Sequence, residues 1–163
     1  MIRPLVGLVV LAMLCATARA DTVYELPRTK ARLELPGWQK VEAASLVASY
    51  KHAAGGILVV TRADVPNADA WKDEAKVKQA YADTIERGIR SRIPGYKRVR
   101  KKLGDANGVP ALDVEATRDT GATVIVRVLM FRTYALSLAI EIPKTGDVAI
   151  ARTIAAKFTP PKE

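Results

Sequence analysis

The residues in this sequence that could do chemistry are few, and most of them are basic. Between positions 87 and 102 stand Arg87, Arg90, Arg92, Lys97, Arg98, Arg100, Lys101 and Lys102, with no acidic residue among them. Such a run is a candidate patch for an anionic surface: an acidic protein, a lipid headgroup or a polysaccharide. Each cation held near such a surface contributes on the order of 1 kcal/mol, falling off within a Debye length. Two plainer roles compete for the same residues. Cations at a helix C-terminus complement its dipole, and lysines along an edge strand block sheet-to-sheet aggregation. Nucleic acid is a poor match, because single-strand platforms need interleaved aromatic rings and only Tyr96 stands nearby.

The remaining candidates argue against catalysis. His52 is the single histidine, and the single cysteine, Cys15, sits near the N-terminus. One histidine without cysteines around it cannot build the usual zinc site of three or four nitrogen and sulfur ligands. Followed by Ala53-Ala54-Gly55-Gly56, it reads as a loop histidine between two strands. Ser45, Ser49, Ser91 and Ser137 sit in no Gly-x-Ser-x-Gly elbow. Asp113 and Glu115 share one strand face, about 7 Å apart by strand rise, a spacing open to paired-carboxylate chemistry or a hard cation. A solvated sheet face, or cross-strand partners for Arg127 and neighbouring lysines, is the better explanation, because alternation alone demands polar residues somewhere. The expectation is no catalytic residue, no metal ligand and no cofactor.

The basic run must be positioned by the elements around it. Upstream, a helix is expected from Asn67 or Asp69 to Ile93, with Asp73 and Glu74 at its positive end and Pro94-Gly95 as its stop. Val77, Tyr81, Ile85 and Ile89 recur every four residues as its buried stripe. Lys72, Lys76, Lys78, Asp83, Glu86 and Arg90 fall on the opposite side. Downstream, residues 96–103 read as a strand, and Asn107-Gly108 is the strongest short hairpin signal in the chain.

Three further strands follow over residues 109–142, with Asp119-Thr120-Gly121 as a turn. The first is one-sided, with Leu112, Val114 and Ala116 opposite Ala111, Asp113 and Glu115. The next two are apolar on both faces, and the small Ala135, Ser137 and Ala139 leave room for a helix to approach. Earlier strands are expected at 31–35, 46–51 and 56–65, with Trp38 after Pro36-Gly37 as a core anchor. A last helix spans residues 145–157, capped by Thr145, with Ile150, Ile154 and Phe158 on its apolar side and Pro160-Pro161 at its end.

The first 20 residues read as an export signal: Arg3, an apolar run over 5–14, then Ala18-Arg19-Ala20 as the cleavage site. The run is shorter than the roughly 20 residues that a membrane span needs. Lipidation of Cys15 fits poorly, because the residue before it is Leu14 rather than a small one. Cleavage after Ala20 takes 20 of 163 residues and leaves a single domain of 143, residues 21–163, without cysteine. A domain of about 150 residues buries roughly 70% of its unfolded surface, enough to fold without disulfides. Losing Arg3 and Arg19 reduces 26 cations to 24 against 17 acids, a net charge of +7. That charge favours anionic neighbours without specifying one.

The order of elements also resembles a known family. Leu35-Pro36-Gly37-Trp38, Gly108-Val109-Pro110-Ala111, Met130-Phe131 through Leu138, and Lys157-Phe158 carry a resemblance to the PsbP/DcrB-like superfamily, whose fold a Ran-binding nuclear import factor shares. The resemblance implies an α+β domain, an antiparallel sheet of about six to seven strands flanked by helices as an α/β/α sandwich. It implies accessory or binding roles without a shared activity, and no functional-site motif of that family is present to assign. The combined expectation is an exported, non-enzymatic accessory protein of the bacterial envelope, periplasmic or secreted. Its contact surface is the basic patch and its partner an unidentified envelope protein, not nucleic acid. The alternative is peripheral docking on anionic lipid or polysaccharide through the same residues.

Overall fold

A computed structural model of the protein describes residues 23–26, 32–42, 47–64 and 75–160. The leader, its cleavage site after Ala20, the helix start at Asn67 or Asp69, the acids Asp73 and Glu74, and Pro161 lie outside the described residues.

One eight-residue strand, with apolar side chains on both faces, determines the architecture. In β8 (Thr123–Met130), Val124, Val126, Val128 and Met130 alternate with Ile125 and Leu129, and all six are buried. A strand of this kind needs cover on both sides, and the fold supplies it. Seven strands form one sheet in the order β3 (Trp38–Val41), β4 (Ala48–His52), β5 (Ile57–Asp64), β9 (Tyr134–Ile142), β8, β7 (Val109–Thr117), β6 (Lys97–Ala106). Every neighbouring pair is antiparallel. The helix α1 (Ala75–Arg92) lies on one face and α2 (Val148–Lys157) on the other. A separate two-stranded ribbon, β1 (Val23–Glu25) with β2 (Arg32–Glu34), adds Leu26 and Leu33 to the α2 side.

The two apolar clusters follow from strand alternation. Leu58, Val60, Leu136, Leu138 and Ile140 point with Ile125 and Leu129 toward α2, where Ala151, Ile154, Ala155 and Phe158 meet them. Leu112, Val114 and the even-numbered positions of β8 meet Ala82 of α1, with Tyr81, Ile85 and Ile89 half-buried beside it. The β6–β7 hairpin turns at Asn107 (φ 52°) and Gly108 (φ 79°), left-handed positions that the Asn-Gly pair accommodates. Asn107 Nδ2 also donates to the carbonyl of Pro160, 3.1 Å away, which ties the hairpin to the end of the chain.

Several expectations are corrected. The strand read at 31–35 is β2, and its partner β1 and the edge strand β3 were not foreseen; Trp38 is buried, as an anchor should be, but it also opens β3. His52 ends β4 rather than lying between strands. The cap of α2 is Asp147, whose Oδ1 accepts from the Ala149 amide at 2.8 Å, not Thr145. The face that α2 buries consists of Ala151, Ile154 and Ala155, with Phe158 at its C-cap, and Ile150 is exposed. β7 is two-sided: Glu115 is only 5% exposed, because α2 covers that face. The small-residue face of β9 does turn toward a helix, α1, but the large-residue face is the one that α2 covers.

Candidate interaction surface

β6 is an edge strand, paired among the described residues only with β7. Its register slips between Arg98 and Arg100, so that Val99 is the extra residue of a bulge. Regular alternation would place Arg98, Arg100 and Lys102 on one face. The bulge instead sets Arg98 opposite Ala116 and Lys101 opposite Val114, on the α1 side, while Arg100 faces Glu115 and Lys102 faces Asp113 on the α2 side. The continuous run of cations is thereby divided between two faces of the sheet edge, and Val99 is left 59% exposed between them.

On the α1 side the nearest cations are neutralised. Arg98 Nη1 donates to both Glu86 oxygens, at 2.9 and 3.2 Å. Lys101 binds Glu86 at 2.9 Å and also pairs with Asp83. The Tyr96 hydroxyl donates to Glu86 Oε1 at 3.0 Å. Glu86, read from the sequence as part of the solvent face, therefore points at β6 and is the junction between helix and strand. Burial works against its charge, but the donors Lys101, Tyr96 and Arg98 outweigh it and hold its carboxyl below the ordinary value. The hydrogen bond from Lys101 is the main reason that the Asp83 carboxyl is also lowered, and the bonds to Asp83 and Glu86 raise Lys101. Burial, then the bond to Glu86, pushes the Tyr96 hydroxyl up to about 12.

A cleft of about 460 Å³ opens beside this junction, lined by Asp83, Glu86, Arg87, Arg90, Tyr96 and Arg98. Arg87 Nη2 donates to Thr84 Oγ1 at 3.4 Å. Arg87, Arg90, Arg92, Lys97, Arg100 and Lys102 hold no ion pair among the described residues. The structure thus brings Arg87, Arg90 and Arg98 together around the cleft. It commits Arg98 and Lys101 to acids of α1 and places Lys97, Arg100 and Lys102 on the far side of the strand. Arg92 faces a different depression, on the other flank of α1.

The other candidate residues do not converge. Asp113 pairs with Arg127 at 3.4 Å across β7 and β8. Glu115 takes a fork from Arg152 of α2, with Nη2 at 2.6 Å and Nε at 3.1 Å. That bond is the main reason that its carboxyl is lowered. His52 accepts from the Ala54 amide through Nδ1, 3.2 Å away, and its ring centroid lies 5.2 Å from that of Trp38. Among the described residues no group of three or more His, Cys, Asp or Glu side chains is placed to hold a metal. No described helix is long and apolar enough to cross a membrane.

The fold is similar to the solution structure of cyanobacterial PsbP (CyanoP) from Synechocystis sp. PCC 6803, at 12% identity and a TM-score of 0.61, covering 86% of this chain and 92% of that one. A crystal structure of PA94, a Pseudomonas aeruginosa protein of unknown function, aligns over 86% of this chain and 97% of its own at 20% identity and a TM-score of 0.45. No protein-family model matches the sequence, and no curated protein matches it. The PsbP-like resemblance read from the motifs therefore holds as an α+β fold, with a seven-stranded antiparallel sheet between two helices.

Proposed function

We propose that this chain is an exported, non-catalytic accessory protein that docks an acidic protein partner on the surface shared by α1 and β6. The observation that carries the reading is the arrangement around Val99. Val99, an exposed apolar side chain at the bulge of an edge strand, stands between Arg98 on the α1 side and Arg100 on the α2 side. Arg87 and Arg90, which hold no ion pair among the described residues, line the cleft with Arg98. Protein interfaces combine an apolar centre with a polar rim in this way, and arginine is enriched in them. The fold similarity to CyanoP supports a scaffold of this kind. Off this surface, Glu115 is engaged with Arg152 and Asp113 with Arg127, in pairs that hold elements together. Export rests on the leader sequence, with Arg3, its apolar run and Ala18-Arg19-Ala20.

The test compares the mature protein with an Arg87→Glu, Arg90→Glu variant. Both are immobilised and exposed to an envelope extract and, separately, to vesicles of anionic phospholipid at low salt. The reading expects one discrete acidic protein retained by the parent and lost from the variant, with no vesicle binding. Salt-sensitive vesicle binding that the variant loses would transfer the surface to lipid docking.

A further inference from the structure

α1 does not cover its face of the sheet evenly. It lies over β7 and β8, and along its other flank the facing side chains of β9 are small: Ala135, Ser137 and Ala139. Between them and the helix runs a groove of about 470 Å³, within the ~300–1,000 Å³ range of small-molecule sites. At Gly88, on the helix wall, an added Cβ would meet nothing within 4 Å. β5 borders the groove from Ile57 to Ala63, a run of roughly 20 Å at the usual strand rise.

The two ends of the groove differ chemically. At one end the register sets Ala63 against Ala135, and at the other it sets Ile57 against Glu141. All the charged groups of the lining, Arg92, Arg118 and Glu141, fall toward that second end, where α1 finishes. Arg118 Nη1 donates to both Glu141 oxygens, at 2.9 and 2.8 Å. Its Nε is buried and lies 3.7 Å from Asp119 Oδ1, so this guanidinium is held by two carboxylates. Arg92 holds no ion pair among the described residues. A long apolar channel thus ends at the Arg92 guanidinium, which suits one anionic group with oxygen acceptors.

We propose that this groove binds a free long-chain fatty acid, its chain lying over Ala135, Ser137 and Ala139 and its carboxylate meeting Arg92. The site is separate from the α1–β6 surface, and the variants that test it leave Arg87, Arg90 and Val99 unchanged. The experiment is calorimetric titration of the mature protein with hexadecanoate below its micelle concentration, with hexadecyltrimethylammonium as the oppositely charged control. Saturable one-to-one binding of hexadecanoate is expected. It should be about tenfold weaker in Arg92→Ala, as for the loss of one charge-assisted hydrogen bond, and absent in Ala139→Leu, whose side chain fills the floor. Gly88→Leu fills the same space from the helix side and replaces Ala139→Leu if that variant does not fold. The proposal is overturned if hexadecanoate shows no saturable binding, if both filled variants bind like the parent, or if the cationic surfactant binds equally well. It also fails if the free protein is a dimer that excludes hexadecanoate, since the groove would then belong to a second copy of the chain.

Discussion

Glu86 accepts from Arg98, Lys101 and the Tyr96 hydroxyl at once, which makes it the residue that fastens helix to edge strand. Its folded pKa lies below its ordinary value, near 4.3 in an unfolded chain. A lowered carboxylate contributes stability that is present above the unfolded value and is lost as pH falls through the folded one. Melting temperature should therefore decline as pH drops below about 4.3, and it should decline less steeply in Glu86→Gln, which starts from a lower value at neutral pH. Identical slopes in parent and variant would remove the contribution assigned to this carboxylate. The cations of this site were legible from composition alone; their pairing was not. Asp83 and Glu86 precede the acid-free stretch, and only the fold brings them over Arg98 and Lys101. The fork between Glu115 and Arg152 was hidden for the same reason, because 37 positions separate its two halves.

At the level of elements, long periodic segments were readable and short ones were not. β8 and β9 declare two buried faces in their alternation, whereas β1, with three residues, is too short to carry a period. The bulge in β6 has no marker either: Val99 is an ordinary strand residue, and the slip appears only in the pairing with β7. Thr145 and Asp147 are both good caps, and docking of Phe158 and Ile154 against the sheet settles which is used. Phe158 is fully buried at the C-cap of α2. Phe158→Ala should cost about 3–5 kcal/mol, read as a lower urea midpoint; a change below 1 kcal/mol would mean that α2 is not pinned there. Gly88 interrupts α1 at a point where a methyl group meets nothing. Gly88→Ala should raise stability by about 0.5–1 kcal/mol, again read from the urea midpoint, and a lower midpoint would show that this part of the helix is not formed as described.

The molecule as a whole is a sheet with its two apolar faces divided between two helices, and its charges divided between structure and surface. Acids are largely spent on ion pairs inside the fold: Asp113 with Arg127, Glu115 with Arg152, Glu141 with Arg118, Glu34 with Lys157 and Glu86 with β6. Arg87, Arg90, Lys97, Arg100 and Lys102, at the helix end and the sheet edge, hold no ion pair among the described residues, and there the account places recognition. A photoreactive residue substituted at Val99, at the centre of that surface, tests the claim most directly when it is activated in the native envelope. The account expects a cross-link to one acidic protein, lost when Arg87 and Arg90 are also changed to Glu and absent from a probe placed at Lys144. A pattern at position 99 that matches the Lys144 control, or one that survives the double charge reversal, would contradict it.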